Sequence, residues 1–174
     1  MEIRSLTKVS ICIAIICISS YIAFPLLFTP IMITAQTIAI NLVSLILTPK
    51  QSFVAVAVYI FLGAFGLPVF SGGTSGFGKL FGPTGGFILG FLVVAPLISY
   101  LKGRNNSFKR YLFITVFVGM TTLYIVGSIF MSVIQKINII SALYLAVFPF
   151  IIGDLFKCFF SSVIAVKLNK VLNR

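Results

Sequence analysis

The 174-residue chain is 60% apolar and only 9% charged. A soluble domain carries roughly 25% charged residues, so an ordinary soluble fold is excluded and an integral membrane protein of one domain, 1–174, is indicated. The net charge of +11 does not point to nucleic acid, because the basic residues stand in short clusters between apolar runs, where they act as topology signals.

The chain order predicts an all-α integral membrane protein with six transmembrane helices, at about 5–24, 34–48, 51–67, 84–101, 109–131 and 140–170. The first apolar stretch, Val9 to Phe24, exceeds the usual signal-peptide core and lacks a small-x-small cleavage site, so it reads as a retained span. Pro25 and Pro30 precede the short second span. Pro96 is expected to kink the fourth, and Pro149 lies in the outer part of the sixth. Ten of the 13 basic residues fall on one side of these spans: Arg4, Lys8, Lys50, Lys102, Arg104, Lys109, Arg110, Lys167, Lys170 and Arg174. Lys79 and Lys136 fall on the other, and Lys157 lies within a span. Both termini are therefore expected in the cytoplasm, with structured extracellular loops, including 25–36 and 132–139, capping a ligand pocket. No internal repeat is visible, which gives an inverted-repeat transporter no support.

The third of these loops is the densest feature of the chain. Residues 66–87 hold eight of its 14 glycines, together with Pro68 and Pro83. Glycine at that density does not propagate a helix, and it permits positive φ and close approach to a ligand. The segment also keeps Leu67, Val69, Phe70, Phe77, Leu80 and Phe81, apolar bulk for which a flexible linker has no use. It reads as structured backbone lining a cavity.

Polar chemistry inside the spans is sparse. The two acids are Glu2 and Asp154. Asp154 and Lys157 stand three apart and project from one helix face, and charges this deep must face the bundle interior. They read either as a mutually neutralising structural pair or as the contact for a polar ligand, an adjacent acceptor and donor suiting a urea- or amide-like group; Lys157 alone would also suit a carboxylate. Gln36 reads equally as a ligand contact or a helix cap. Tyr124 reads as an interfacial or packing aromatic rather than a ligand contact. Ser10 and Ala14, four apart, form a small-residue face for internal packing or for docking another membrane protein. Cys12, Cys17 and Cys158 lie in apolar runs without metal-ligand spacing, and histidine is absent, so neither a metal site nor a catalytic site is expected. The glycine stretch lacks the Gly-Lys-Ser/Thr ending of a nucleotide loop, so no ATP hydrolysis is expected in this chain.

Several of these segments together resemble a known family. Gly66-Leu-Pro-Val-Phe-Ser-Gly-Gly73 followed by Gly82-Pro-Thr-Gly-Gly-Phe-Ile-Leu-Gly90 resembles the BioY family, the biotin-binding S components of energy-coupling factor (ECF) transporters. Pro30-Ile-Met-Ile-Thr-Ala-Gln36-Thr37 is similar to its Pro-x-x-Ile-Thr-x-Gln-Thr segment, and Gly153-Asp154-x-x-Lys157 to its last-helix motif. Ser10 and Ala14 fall where S components carry an Ala-x-x-x-Ala face. Two departures stand out: Ser10 replaces an alanine, and Phe87 stands where tyrosine is frequent.

The resemblance implies a six-helix subunit of the bacterial cytoplasmic membrane that captures biotin from outside and needs no cofactor or catalysis of its own. It works with a transmembrane T subunit and two cytoplasmic ATPase subunits. It further implies that Asp154 and Lys157 hold the ureido ring, with Gly73 and Thr74 adding backbone contacts and Gln36 nearby. Phe70 and Phe87 would enclose the apolar part, and Ser10 and Ala14 would dock the T subunit. Lys79 is a candidate for the valerate carboxylate, a simple surface lysine being the alternative. Two other readings compete. One is a self-sufficient ion-coupled carrier with Asp154 as its proton site; the other is a membrane enzyme, which the lack of a base argues against.

Overall fold

The computed structural model describes residues 3–103 and 105–172; Glu2, Arg104 and Arg174 lie outside the described residues. Helix α1 runs Ile3–Ser19, shorter than the 5–24 span expected, because the chain turns at Ser20 and enters a two-residue strand, β1 (Ala23–Phe24). It pairs antiparallel with β2 (Ile33–Thr34), Ala23 opposite Thr34. This small ribbon is an addition to the expected all-α fold. It pins the ends of the Pro25–Met32 loop, which Thr29 fastens further by donating its hydroxyl to the Leu145 carbonyl at 2.8 Å.

Helix α2 (Gln36–Ile46) has only 11 residues. At 1.5 Å per residue it falls well short of the roughly 30 Å of a bilayer core. Its C-terminal carbonyls are capped from neighbouring helices: Lys102 Nζ donates to Ser44 and Leu45 at 3.2 and 2.9 Å, and Asn169 Nδ2 to Leu45 at 3.0 Å. Helix α3 (Pro49–Ala64) follows at once. Thr48 and Gln51 form a reciprocal capping box around Pro49, a start signal written in four consecutive residues. A single turn, α4 (Phe77–Leu80), lies within the glycine segment. Helix α5 (Gly85–Leu101) continues through Pro96.

The fifth expected span is one continuous helical rod, Phe108–Gln135. It comprises α6 (Phe108–Phe113), a π-helical stretch (Ile114–Met120) and α7 (Thr121–Gln135). The sixth is two helices, α8 (Ile139–Ala146) and α9 (Ile151–Leu172), meeting at 56°. Pro149 sits in the break, where it supplies no amide hydrogen to continue the ladder.

Among the described residues, Phe108–Gln135 is long and apolar enough to cross a membrane, and α8 with α9 qualifies if the bent pair counts as one span. Helices α2, α3 and α5 are apolar but shorter. The exterior is heavily apolar, with Phe61, Phe117, Val133 and Ile152 all more than 60% exposed. That is a surface suited to lipid rather than water. Hydrogen bonds from Lys102, Asn169 and Gln51 bring the residues around 5, 45–51, 102 and 169 to one end of the bundle. The β1–β2 ribbon and the glycine segment close the opposite end, where the Gly72 amide donates to the Ser20 carbonyl at 3.0 Å.

Candidate functional site

The α8–α9 break determines where the polar chemistry sits. Restarting at Ile151, α9 carries Asp154 in its first turn, where a carboxylate complements the positive end of the helix dipole. Lys157 Nζ donates to Asp154 Oδ1 at 2.8 Å, and both side chains are largely buried. The Tyr124 hydroxyl, from α7, donates to Asp154 Oδ2 at 2.7 Å. Both carboxylate oxygens are thus engaged, by groups that also face a cavity.

That cavity lies between α2, α5, α7 and α9, beneath the two closing loops. Its wall combines Thr34, Gln36, Thr37, Ser71, Thr84, Tyr124, Asp154 and Lys157 with Met32, Phe87, Ile88, Phe91, Leu123 and Phe150. The free space is about 60 Å³. A deeper extension of about 20 Å³ is lined by Thr37, Asn41, Gly119, Asp154 and Cys158, so the π-helical stretch contributes Gly119 to its floor. A larger open groove of about 740 Å³ lies elsewhere, between α6 and α9. Six phenylalanines and Lys109 line it, without a carboxylate or a hydroxyl; the polar chemistry is concentrated in the smaller cavity.

Gln36 is 1% exposed and is bonded within the protein through both amide atoms. Its Nε2 donates to the Tyr59 hydroxyl at 2.8 Å and to the Val69 carbonyl at 3.3 Å, and its Oε1 accepts from Ser71 Oγ at 3.0 Å. It makes no cap bond at the start of α2. Its side chain instead ties the glycine segment to α2 and α3. Within that segment Phe70 and Thr74 form a tight turn: the Phe70 amide donates to the Thr74 carbonyl at 2.8 Å, and the Thr74 amide to the Phe70 carbonyl at 3.2 Å. Gly72 and Gly73, at φ 73° and 71°, make the left-handed corner that L side chains resist.

The remaining expected residues divide between wall, loop and core. Phe87 lines the cavity and packs against Gly127. Phe70 is fully buried behind the wall, edge-on to Tyr59 with ring centroids 5.6 Å apart, in space left free by Gly63. Gly73, Thr74 and Lys79 are half-buried in the loop and are not part of the cavity wall. Ser10 and Ala14 are exposed on the outer face of α1, far from the cavity. Tyr124 is the residue that sequence reasoning assigned elsewhere. Its hydroxyl meets a carboxylate 30 positions away on another helix, a pairing with no periodic signature.

The fold and this cavity define a helical membrane protein with an enclosed site of mixed polar and apolar character. The BioY family model matches residues 1–174. Biotin transporter BioY2 of Lactococcus lactis subsp. cremoris is 34% identical over 172 residues, covering 99% of this chain and 93% of that protein. Biotin transporter BioY of Thermotoga maritima is 35% identical over 168 residues, 97% of each. The solved S component for biotin from an ECF-type ABC transporter superposes with a TM-score of 0.88 at 28% identity, covering 97% of this chain and 92% of the other. The chain belongs to the BioY family, a family of membrane transporters.

Proposed function

We propose that this protein is the biotin-binding S component of an ECF-type uptake transporter, a substrate-capturing subunit without an enzymatic reaction or cofactor of its own. The observation that carries the reading is the Asp154–Lys157–Tyr124 cluster, set in a cavity whose remaining wall combines apolar side chains with uncharged polar ones. A carboxylate accepts N–H groups and an ammonium donates to a carbonyl, which suits the adjacent N–H and C=O of a ureido ring. Phe87, Phe91 and Leu123 supply the apolar wall for a thioether ring and alkyl chain. The names of the relatives and of the solved S component support biotin as that ligand.

In this reading six helical spans cross the bacterial cytoplasmic membrane, the α8–α9 pair counting as one. The lysine-rich end, holding both termini, lies in the cytoplasm by the positive-inside rule. The glycine segment and the Pro25–Met32 loop form the extracellular cover. The free space of about 60 Å³ is well below the roughly 300 Å³ of a small-molecule pocket, so biotin enters by displacing that cover. Ser10 and Ala14 dock a transmembrane T subunit, and two cytoplasmic ATPase subunits supply the energy. Engagement of both Asp154 oxygens supports a binding role over that of a proton carrier.

The direct test is equilibrium binding of labelled biotin to the purified full chain in detergent, with thiamine and riboflavin as competitors. Saturable biotin binding that neither competitor displaces is expected. Absence of biotin binding, or displacement by either vitamin at equal concentration, would overturn the assignment.

A further inference from the structure

We propose that Thr84 holds the ligand's carboxylate at the N-terminus of α5, an assignment that rests on biotin being the ligand. Thr84 is the N-cap of this 17-residue helix and only 8% exposed. An N-cap threonine ordinarily has extended dihedrals and returns its hydroxyl oxygen to the amides of its own first turn. Here φ is −92° and ψ −5°, a helical conformation, and the side chain makes no cap bond. Its Oγ1 is buried without a hydrogen-bond partner, although nearly all buried polar atoms in folded proteins have one.

The same residue lines the cavity that holds Asp154 and Lys157. A helix N-terminus presents partial positive charge and amide donors, the arrangement that receives anions. The Gly85 amide there donates to the Gly82 carbonyl at 2.9 Å and the Phe87 amide to the Thr84 carbonyl at 3.1 Å, so the Thr84 hydroxyl, rather than these amides, is the free donor beside the positive end of α5. Biotin has one anionic group, at the opposite end of the molecule from its ureido ring. Two hydroxyls on the cavity wall lack a partner, those of Thr37 and Thr84. Thr37 also lines the deeper extension beside Asp154 and Thr84 does not, so with the ring at Asp154 and Lys157 the Thr84 hydroxyl is the one left for the carboxylate. Lys79, the residue whose charge suggested that role, does not line the cavity.

The test compares the binding of biotin and of biotinol, its neutral alcohol, to the purified full chain and to Thr84→Val, Thr84→Ser and Ser128→Ala. Ser128 also has a buried hydroxyl without a partner, but it does not line the cavity. Thr84→Val is expected to weaken biotin about tenfold or more, the scale of a lost hydrogen bond to a charged group, and to change biotinol less than about twofold. Retained biotinol binding shows that the variant is folded. Thr84→Ser and Ser128→Ala are expected to bind biotin like the unaltered chain. Undiminished biotin binding by Thr84→Val, or equal loss of both ligands, would overturn the Thr84 assignment while the biotin reading stands. An unaltered chain that binds no biotin would overturn that reading, and this assignment with it.

Discussion

The Tyr124 hydroxyl meets Asp154 Oδ2 at 2.7 Å, joining α7 to the first turn of α9. With Lys157 on the other oxygen at 2.8 Å, the carboxylate is held in one orientation relative to the cavity. Tyr124→Phe keeps the ring and removes the donor, leaving one buried oxygen without its partner. A hydrogen bond to a charged group contributes about 1.5–3 kcal/mol. The variant is expected to lose roughly tenfold or more in biotin affinity while keeping its helical content, measured by equilibrium binding and circular dichroism. Unchanged affinity would show that this contact does not orient the site.

What the sequence made legible divides by distance along the chain. The Asp154–Lys157 contact is local, so helical spacing alone placed the two side chains on one face. The cap of α3 is likewise contained in Thr48 to Gln51. Tyr124 and Gln36 owe their roles to partners on other elements, and nothing in their neighbourhoods announces them. Phe70 shows the same limit in reverse. It stands beside the glycines that suggest a ligand, yet its ring occupies the space over Gly63 and packs on Tyr59. The break near Pro149 was visible as a proline, but its consequence, a 56° corner that starts α9 three residues before Asp154, depends on how two helices pack.

The glycine segment yields a graded prediction. At Gly72, φ is 73°, and a Cβ would stand 2.9 Å from Met32 Sδ, on the neighbouring loop. Gly72→Val therefore combines left-handed backbone strain, on the order of 1–3 kcal/mol, with a push against a cavity-wall residue. Gly78 has no neighbour within 4 Å of such a Cβ and no positive φ. Gly72→Val is expected to weaken biotin binding at least about fivefold, the lower end of its strain range, and Gly78→Ala to leave it unchanged. Equal binding by both variants would remove the Gly72 corner from the ligand cover.

Ser10 and Ala14 offer a test of assembly separate from binding. Both are exposed on α1, on the face opposite buried Val9, Cys12 and Ile16. Small residues four apart allow close approach of another helix, and leucine at both positions would block it without disturbing the interior. The double variant Ser10→Leu/Ala14→Leu is expected to bind biotin normally while co-purifying poorly with the proposed T subunit and ATPases. Normal co-purification would move the docking face elsewhere.

The buried Asp154–Lys157 pair separates structural from ligand-binding roles when its charges are removed singly and together. Lys157→Met alone leaves a buried carboxylate without its counter-charge, a loss of about 3–5 kcal/mol for such pairs, so a marked fall in thermal unfolding temperature is expected. Adding Asp154→Asn removes the orphaned charge, and replacing both members of a buried pair is often neutral or stabilising. The double variant is therefore expected to recover most of the lost stability. Its biotin binding is expected to stay lost, because neither the carboxylate acceptor nor the ammonium donor remains. If stability and binding return together, the pair serves only to neutralise itself inside the bundle, and the ligand's polar ring must be held by other groups on the cavity wall.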